Sequence, residues 1–241
     1  MKIHLQSKVE DVSEAQFGKH VYVNISKRWQ EARDYCRDKY TDLSPFPTPL
    51  DQERLKNATM EMTKLAWIGL YKDKEQKWRW TGEELATNIQ TWADGEPLDN
   101  ETFAATYWHC DRKGWHGVRS DTVIPFFCFN LMVDDVKKTW EEALEHCRET
   151  HTDLTSLNSE IERRLALSEI QHDHITKRVW IGLRFFGDHW LWVNGEPLVY
   201  EAWPKGDQEH QCPLRKRCGA LTKEGHWENW DCVEKLHFIC Y

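Results

Sequence analysis

Trp180-Ile181-Gly182-Leu183 is the stretch of this sequence that decides its fold, and Trp67-Ile68-Gly69-Leu70 is its upstream counterpart. Each copy combines an aromatic residue, a β-branched residue and a further apolar residue, which predicts a buried strand. The glycine predicts that another backbone comes close at that point. A second strand follows each copy, with a Trp-x-Trp pair at residues 78–80 and again at residues 190–192. Because side chains alternate along a strand, both tryptophans of a pair lie on one face.

The landmarks of the sequence occur once in each half of the chain. Cys147 lies 111 residues after Cys36, and Cys240 lies 112 residues after Cys128. This period is far too long for a solenoid repeat, and it fits two complete domains. We therefore expect a frayed segment at residues 1–14, a first domain at residues 15–129 and a second domain at residues 130–241.

The composition indicates the partners and the compartment. The 241 residues carry a formal net charge of −8, which argues against nucleic acid and anionic membrane surfaces as partners. No apolar run in the sequence is long enough to span a bilayer, and the first residues lack the apolar core of a secretory signal. Eight cysteines nevertheless indicate an extracellular protein. We expect a secreted protein or a receptor ectodomain whose signal and any transmembrane segment are absent from this sequence; a cytosolic protein with reduced thiols is the alternative.

Two helices are predicted in each half, ahead of the buried strand. A capping-box pattern opens a helix at Thr139, and apolar residues over 140–147 follow with helical spacing. The equivalent upstream helix is expected over residues 27–40. Second helices are expected at Ser159, with another capping box, and upstream near residue 51. The stretches after the Trp-x-Trp pairs are rich in Gly, Pro, Asp and Asn, which predicts long ordered loops of the kind that carry function.

Six of the eight cysteines are expected to form disulfides. A helix cysteine and a near-terminal strand cysteine bracket each half. If these pair, each bridge closes a loop of roughly 90 residues, which is worth about 4–5 kcal/mol in the chain-entropy model. Only the second half has two further cysteines placed to bridge its long loop. The expected pairs are Cys36–Cys128, Cys147–Cys240 and Cys218–Cys232.

Cys110 and Cys212 are left over. They could pair and join the two domains, each could pair elsewhere, or Cys212 could pair with Cys218. A zinc site is a further alternative for the cysteine and histidine content, but the sequence has no Cys-x-x-Cys spacing.

Together these features resemble the C-type lectin-like domain, present twice. The resemblance covers residues 17–241 and rests on the helix cysteine, Trp-Ile-Gly-Leu, Trp-x-Trp, a Gly-Glu-Pro turn and the closing Phe-Ile-Cys. It implies an α+β fold in which each domain has two helices, a small antiparallel sheet, disulfide clamps and a long loop region that carries the binding site. The tandem arrangement is similar to a piece of a receptor of the macrophage mannose receptor and phospholipase A2 receptor type.

The resemblance also implies where calcium would bind. Sugar-binding members hold the ion with Glu-Pro-Asn in the loop, a further Glu, and Trp-Asn-Asp on the next strand; calcium takes about six to eight oxygen ligands. The first domain has Leu98 where the loop amide is expected, unless one residue is inserted and Asp99 or Asn100 takes that place. Downstream, Trp115-His116-Gly117 replaces Trp-Asn-Asp. This loss of oxygen donors predicts that no calcium binds in the first domain. The candidate ligand-binding residues there are Glu96, Asp99, Asn100 and Trp115.

The second domain is also incomplete. Its Gly-Glu-Pro at residues 195–197 reads as a strand turn, and the loop at residues 203–209 lacks Glu-Pro-Asn. Trp227-Glu228-Asn229 keeps two oxygen side chains, and Lys205 nearby would repel a cation. The candidate ligand-binding residues are Asp207, Glu209, Trp227, Glu228 and Asn229. The candidate ligands of an improvised calcium site are Glu228, Asn229 and Asp231.

Three Asn-x-Ser/Thr sequons lie in the first domain, at Asn24, Asn57 and Asn100. A glycan on Asn100 would stand at the edge of the first domain's sugar site. This placement is a second argument against sugar binding through the first domain.

These observations favour a non-enzymatic recognition module that binds glycan or protein ligands without tight calcium dependence, as part of a larger receptor. Trp108, Trp115, Trp203 and Trp230 could anchor such ligands or pack beneath their own loops. A calcium-dependent lectin is the alternative function. No cofactor is expected, except calcium under that alternative. No catalytic residues are expected, because His109 and Cys110 are the only tempting pair and neighbours on a strand point to opposite sides.

Overall fold

The computed structural model describes residues 14–48, 51–55, 64–86, 91–107 and 114–241. In the first half, residues 51–55 are helical, and the other elements follow in chain order: β1 (Glu14–Phe17), β2 (His20–Lys27), α1 (Trp29–Lys39), β3 (Asp42–Leu43), β4 (Ala66–Lys72), β5 (Trp78–Trp80), β6 (Phe103–Tyr107), β7 (Gly114–Val118) and β8 (Ile124–Phe129).

The second half repeats this succession with two described helices. Its elements are β9 (Met132–Lys138), α2 (Trp140–Thr150), α3 (Glu160–Glu169), β10 (Arg178–Phe186), β11 (His189–Trp192), a 3-10 turn (Glu209–Gln211), β12 (Cys218–Thr222), β13 (Trp227–Trp230) and β14 (Leu236–Cys240).

Each half forms its own sheet. The first has the order β1-β2-β8-β4-β6-β7, with β3 beside β8 and β5 beside β4. The second has the order β13-β12-β10-β14-β9, with β11 beside β10. The sheets are mainly antiparallel, as expected, but each contains one parallel pairing, β4 with β8 and β10 with β14. Near the start of each domain, β2 pairs with the closing strand β8 and β9 pairs with the closing strand β14, both antiparallel, which brings the two ends of each domain together.

The two Trp-Ile-Gly-Leu stretches are buried strands, as predicted, within β4 and β10. Their glycines are required by close backbone approach. A Cβ on Gly69 would lie 2.6 Å from the Leu43 carbonyl oxygen, and one on Gly182 would lie 2.5 Å from the Leu154 carbonyl oxygen. No side chain larger than hydrogen fits at these contacts without a backbone shift.

The helices begin where side chains satisfy their free N–H groups. Thr139 caps α2 with the predicted capping box: its hydroxyl accepts the N–H of Glu142, whose carboxylate accepts the N–H of Thr139. Ser159 caps α3 by accepting the N–H of Glu162. The capping box predicted there is wrong in its second half, because the Glu162 carboxylate instead accepts the N–H of Asn158 and the ammonium of a lysine from the first domain.

Three disulfides clamp the two domains. They join Cys36 to Cys128, Cys147 to Cys240 and Cys218 to Cys232, as expected. The buried faces of α1 and α2 present Cys36 and Cys147 beside a tryptophan and an alanine, which confirms the helical spacing.

The stretches predicted as long loops are only partly irregular. Four strands, β6, β7, β12 and β13, interrupt them. The sequence did not predict these strands, because their apolar and polar residues do not alternate regularly. Their tryptophans stand among glycines and charged residues and are buried by packing under the loops. In the first domain, where the inner bridge is missing, Phe103 stacks on Trp29 with ring centres 4.6 Å apart.

A buried polar cluster joins the two domains. Lys19, in the turn between β1 and β2, is only 3% exposed. Its ammonium lies 2.8 Å from a carboxylate oxygen of Glu162 and 3.8 Å from one of Glu196. It also donates to the carbonyl and hydroxyl oxygens of Ser156, each at 3.1 Å. Arg54 of the first domain donates to Glu196 as well. We refer to Lys19, Asp51, Arg54, Glu162 and Glu196 as the interdomain cluster.

Apolar side chains continue the contact between the domains. One cluster of buried residues extends from the first domain into the second. A Cβ on Gly82 of the first domain would lie 3.3 Å from the Ile161 side chain of α3. The Thr41 hydroxyl accepts the N–H of Leu131 at 3.0 Å, just past the junction. The halves are therefore packed against each other rather than joined by a free linker.

Candidate functional site

In the second domain, basic side chains of β10 and of the long loop lie against β13. This strand carries Glu228 and Asn229, which are predicted metal ligands. Arg178, at the start of β10, donates to the Glu228 carboxylate at 2.7 Å. Its guanidinium lies 3.8 Å from the centre of the Trp230 ring, which is a close cation–π contact. Lys216 lies on the same ring, with its ammonium 5.1 Å from the ring centre. Two cations therefore occupy this part of the site.

The other predicted ligands of the second domain are separately engaged. Asn229 is 5% exposed and donates to the Lys216 carbonyl at 3.4 Å. Asp231 accepts the N–H of Val233. Asp207 accepts the N–H of Glu209 at 2.9 Å, and its second oxygen contacts the His210 ring. The Glu228 carboxylate, which precedes Asn229 in the chain, is already bound by the Arg178 guanidinium, so this set of groups falls short of the oxygen shell that calcium takes.

The first domain uses its predicted ligands in a similar internal way. The peptide bond between Glu96 and Pro97 is cis. One Glu96 oxygen lies 3.1 Å from His116 Nδ1, and the other accepts the N–H of Gly117 at 3.1 Å. These two partners stand at the positions of the missing Asn-Asp. Both carboxylate oxygens of Glu96 therefore contact His116 and Gly117, the residues that replace the Asn-Asp pair of the calcium motif.

A second carboxyl group, Glu101, lies beside Glu96. It accepts the N–H of Leu98 at 2.7 Å. Burial raises the pKa of Glu101, and the neighbouring Glu96 carboxylate raises it further, against the lowering effect of the Leu98 N–H. Asp99 and Asn100 are exposed, and Lys72 donates to the Asp99 carbonyl at 3.4 Å. Two carboxyl groups and an imidazole remain here, which falls short of the oxygen shell that calcium requires.

A cavity of about 350 Å³ opens at the loop of the second domain. It is bounded by Glu209, by residues 212–216 and by Asn229. Of the predicted residues, the structure brings Glu209 and Asn229 together at this cavity, whereas Glu228 is not part of its lining. Its size lies at the lower end of the range for small-molecule sites.

The comparisons with known proteins agree with this architecture. The family model described as Lectin C-type domain matches residues 25–129 and again residues 136–241. The chain belongs to this family. Each half is thus one C-type lectin domain, and the tandem pair predicted from the sequence is confirmed.

Tandem receptors are among the relatives of these C-type lectin domains. Human C-type mannose receptor 2 is 21% identical over 88% of this chain, and bovine secretory phospholipase A2 receptor is 21% identical over 89% of it. The chain spans only 18% and 17% of the lengths of these two relatives. A snaclec VP12 subunit from Daboia palaestinae is 34% identical over 47% of this chain and 86% of its own length. Among solved structures, human lithostathine is 24% identical, covers 46% of this chain and 88% of its own, and has a TM-score of 0.42.

Two of the tryptophans predicted to contact ligand are buried in the C-type lectin domains. Trp115 and Trp227 are both 0% exposed. Each packs edge-on against the second tryptophan of its Trp-x-Trp pair, at 5.2 Å and 5.3 Å between ring centres. The prediction that they contact ligand is therefore wrong, because the loops need these rings as their own core. Trp203 and Trp230 are partly buried, and Trp108 lies outside the described residues.

The leftover cysteines and sequons are only partly described. Cys212 is exposed and has no disulfide partner among the described residues. The alternative pairing of Cys212 with Cys218 is wrong, because Cys218 is bonded to Cys232. Asn24 and Asn100 are exposed. Asn57 and Cys110 lie outside the described residues, so an interdomain disulfide through Cys110 stays a prediction.

Three residues near the sites, Arg178, Lys19 and Glu196, are not predicted from the sequence. Arg178 carried no motif that linked it to Glu228. Lys19 carried none that linked it to the second domain. The sequence predicts Glu196 only as part of a strand turn, yet it is 8% exposed within the interdomain cluster.

Of potential metal ligands in the described part of the chain, one group of three lies close together, Glu141 with Cys218 and Cys232. The two sulfurs of this group are already bonded to each other.

Proposed function

We propose that this chain is a non-enzymatic recognition module on the extracellular side that binds glycan or protein ligands without calcium, as part of a larger receptor. The observation that carries the proposal is the contact of Arg178 with Glu228 over the Trp230 ring. A guanidinium already fills the electrostatic role that a cation would have at this position. Glu96 in the first domain is likewise satisfied by a ring nitrogen and a backbone N–H.

The disulfides support the extracellular location. Three bridges hold the described part of the chain, and such bridges persist in oxidising environments outside the cytosol. No helix within the described ranges has the length and apolarity needed to cross a bilayer. The related receptors are several times longer than this chain, which supports a place within a longer receptor.

Calcium titration tests the calcium independence. We expect calorimetric titration of the whole chain with calcium chloride at neutral pH to give no saturable heat beyond that of a magnesium chloride control. Binding on a glycan and protein array is expected to be unchanged by a calcium chelator. A stoichiometric calcium heat that disappears in Glu96→Gln or Glu228→Gln would overturn the proposal.

A calcium-dependent lectin is the second candidate. The adjacent carboxyl groups of Glu96 and Glu101 favour it, because a bound cation would relieve the repulsion that raises the pKa of Glu101. Chelator-sensitive binding of mannose-type or galactose-type sugars that is lost in Glu101→Gln would support this candidate instead.

A further inference from the structure

We infer that the cavity in the loop of the second domain binds an anionic glycan, one that carries sulfate groups, which deepens the proposed function and rests on it. The cavity has a volume of about 350 Å³ and lies between the loop and β13. This volume is of the size that holds one or two sugar rings rather than a large apolar ligand.

The charge of the cavity wall favours an anion. Arg215 and Lys216 line the cavity and are exposed. In the described part of the chain, Arg215 has no ion-pair partner. Lys216 has a distant one, Glu209, at 3.7 Å between two largely exposed side chains. Arg217 follows them outside the lining and donates to the Pro213 carbonyl. This concentration of positive charge occurs in a chain whose net charge is −8, so it is a local feature of the loop.

The floor of the cavity favours hydroxyl groups. Asn229 is 95% buried and lines the cavity. Its Nδ2 donates to the Lys216 carbonyl, and among the described residues no group is hydrogen-bonded to its Oδ1. Glu209 supplies a second acceptor at the rim. A sulfated sugar presents hydroxyl donors to these two acceptors and sulfate oxygens to the cations, whereas an acidic peptide presents carboxylates without a matching set of hydroxyls.

The base of the site is rigid, and the charged groups project from it. Asn229 lies on β13 opposite Gly219 of β12, and the disulfide from Cys218 to Cys232 joins the ends of these strands. Leu214 is 87% exposed at the mouth of the cavity, where it can cover the apolar face of a sugar ring. A preorganised base lowers the ordering cost of binding.

Binding of a size-defined heparin oligosaccharide to the whole chain, in the presence of a calcium chelator, tests the inference. We expect saturable binding that weakens steeply as salt is raised. The variant Arg215→Ala/Lys216→Ala is expected to bind about tenfold more weakly or worse. The matched control, Lys74→Ala/Lys177→Ala, removes the same charge from two exposed lysines elsewhere and is expected to bind like the wild type. Equal loss in both variants, or no loss in the first, would overturn the inference.

Two further measurements locate the site and identify the class of ligand. Cys212 lines the cavity and has no disulfide partner among the described residues. Saturating oligosaccharide should therefore slow its alkylation, measured by peptide mass spectrometry; an unchanged rate contradicts the inference. Asn229→Leu should weaken binding with little effect of salt on the loss, because it removes hydroxyl contacts. Poly-glutamate that competes as well as the oligosaccharide at equal charge would replace the glycan with an acidic peptide.

The result separates this inference from the proposed function. No binding of the oligosaccharide, together with chelator-insensitive binding of other ligands on the array, would end the inference alone. Oligosaccharide binding that requires calcium would end the proposed calcium independence as well.

Discussion

At the scale of single residues, Gly182 permits a close backbone contact of the buried strand β10. Its N–H donates to the Thr155 carbonyl at 2.7 Å, and a Cβ would lie 2.5 Å from the Leu154 carbonyl oxygen. The strand and the segment after α2 are therefore in backbone contact, and Gly69 makes the same contact in the first domain. The Trp-Ile-Gly-Leu stretch is repeated in the two halves of this chain for a steric reason.

Gly182→Ala is expected to lower the free energy of unfolding by about 1–3 kcal/mol, because the added methyl group forces the two backbones apart. Urea unfolding followed by tryptophan fluorescence measures the change. Ser26→Thr is the matched control, since it adds one methyl group to an exposed strand residue and should change stability by less than about 0.5 kcal/mol. Equal effects of the two substitutions would contradict the steric explanation.

Glu162 is the residue whose charge state should govern the pH dependence of the domain contact. The interdomain cluster contains three carboxyl groups and only two cations, so one carboxyl group is in excess. Burial raises the pKa of Glu162 to about 7, and Asp51 raises it against the opposing effect of Lys19. Although burial alone would raise the pKa of Glu196, Lys19, Ser156 and Arg54 lower it to about 2.

The sign of the pH dependence follows from these two carboxyl groups. Because the pKa of Glu162 is higher in the folded state, the fold takes up a proton and gains stability as pH falls from about 7 to about 4.5, by at most about 1.4 kcal/mol per pH unit. Below that range, protonation of Glu196 reverses the gain. Burial raises the pKa of Asp51 as well, so this carboxyl group adds to the rise. Thermal melting at stepped pH should show the full rise in wild type and in the control Glu149→Gln, and a smaller rise in Glu162→Gln. A rise of full size in Glu162→Gln would contradict the assignment.

At the scale of single elements, the two domains stabilise their long loops by different means. The second domain closes the hairpin of β12 and β13 with the bridge from Cys218 to Cys232, which are 14 residues apart. The first domain relies on aromatic packing, with Phe103 of β6 stacked on Trp29 of α1. The basic cavity lies on the bridged hairpin.

Removal of the inner bridge should weaken the second domain locally. Cys218→Ala/Cys232→Ala is expected to lower stability by about 3 kcal/mol, because the unfolded loop regains its freedom. Amide hydrogen exchange should accelerate chiefly in β12 and β13. Cys212→Ala, which removes a free cysteine, is the control and should leave exchange unchanged. Uniform acceleration over both domains would show that the bridge acts globally instead.

At the scale of the whole molecule, the tandem pair behaves as one unit. Lys19 of the first domain meets Glu162 and Glu196 of the second in a buried setting, and the partly exposed Arg54 also contacts Glu196. Burial lowers the pKa of the adjacent His20 to about 3, so that its ring stays neutral. The carboxylates outweigh burial and raise the pKa of Lys19. A buried charge set of this kind fixes one arrangement, because any slippage leaves a charge unpaired.

Lys19→Met is expected to lower the free energy of unfolding by about 3–5 kcal/mol, since it leaves two carboxyl groups buried without their ammonium partner. Small-angle scattering should show a larger radius of gyration as the domains separate. A double-mutant cycle with Glu162→Gln should recover part of the loss. Lys39→Met, at an exposed ion pair with Asp38, serves as control. An unchanged radius and additive effects in the cycle would show that the cluster does not hold the domains together.

The sequence by itself determined the two domains, their bracketing disulfides and their buried strands. These features depend on local patterns and on landmarks that recur in both halves, such as the helical spacing that places Cys36 and Cys147 on buried faces. It also predicted the shortage of oxygen donors, since that depends on residue type at matched positions. It could not separate tryptophans that face ligand from those that fill the loops, because both occur among the same glycines and charged residues.

Only the tertiary structure decided which groups meet across long stretches of chain. Lys19 and Glu162 are 143 residues apart in sequence, and Arg178 and Glu228 are 50 residues apart. No local pattern specifies such pairs, because their partners are chosen by how the sheets and the two domains pack. The fold therefore follows from short-range periodicity and cysteine placement. The interdomain cluster and the contact of Arg178 with Glu228 follow from packing.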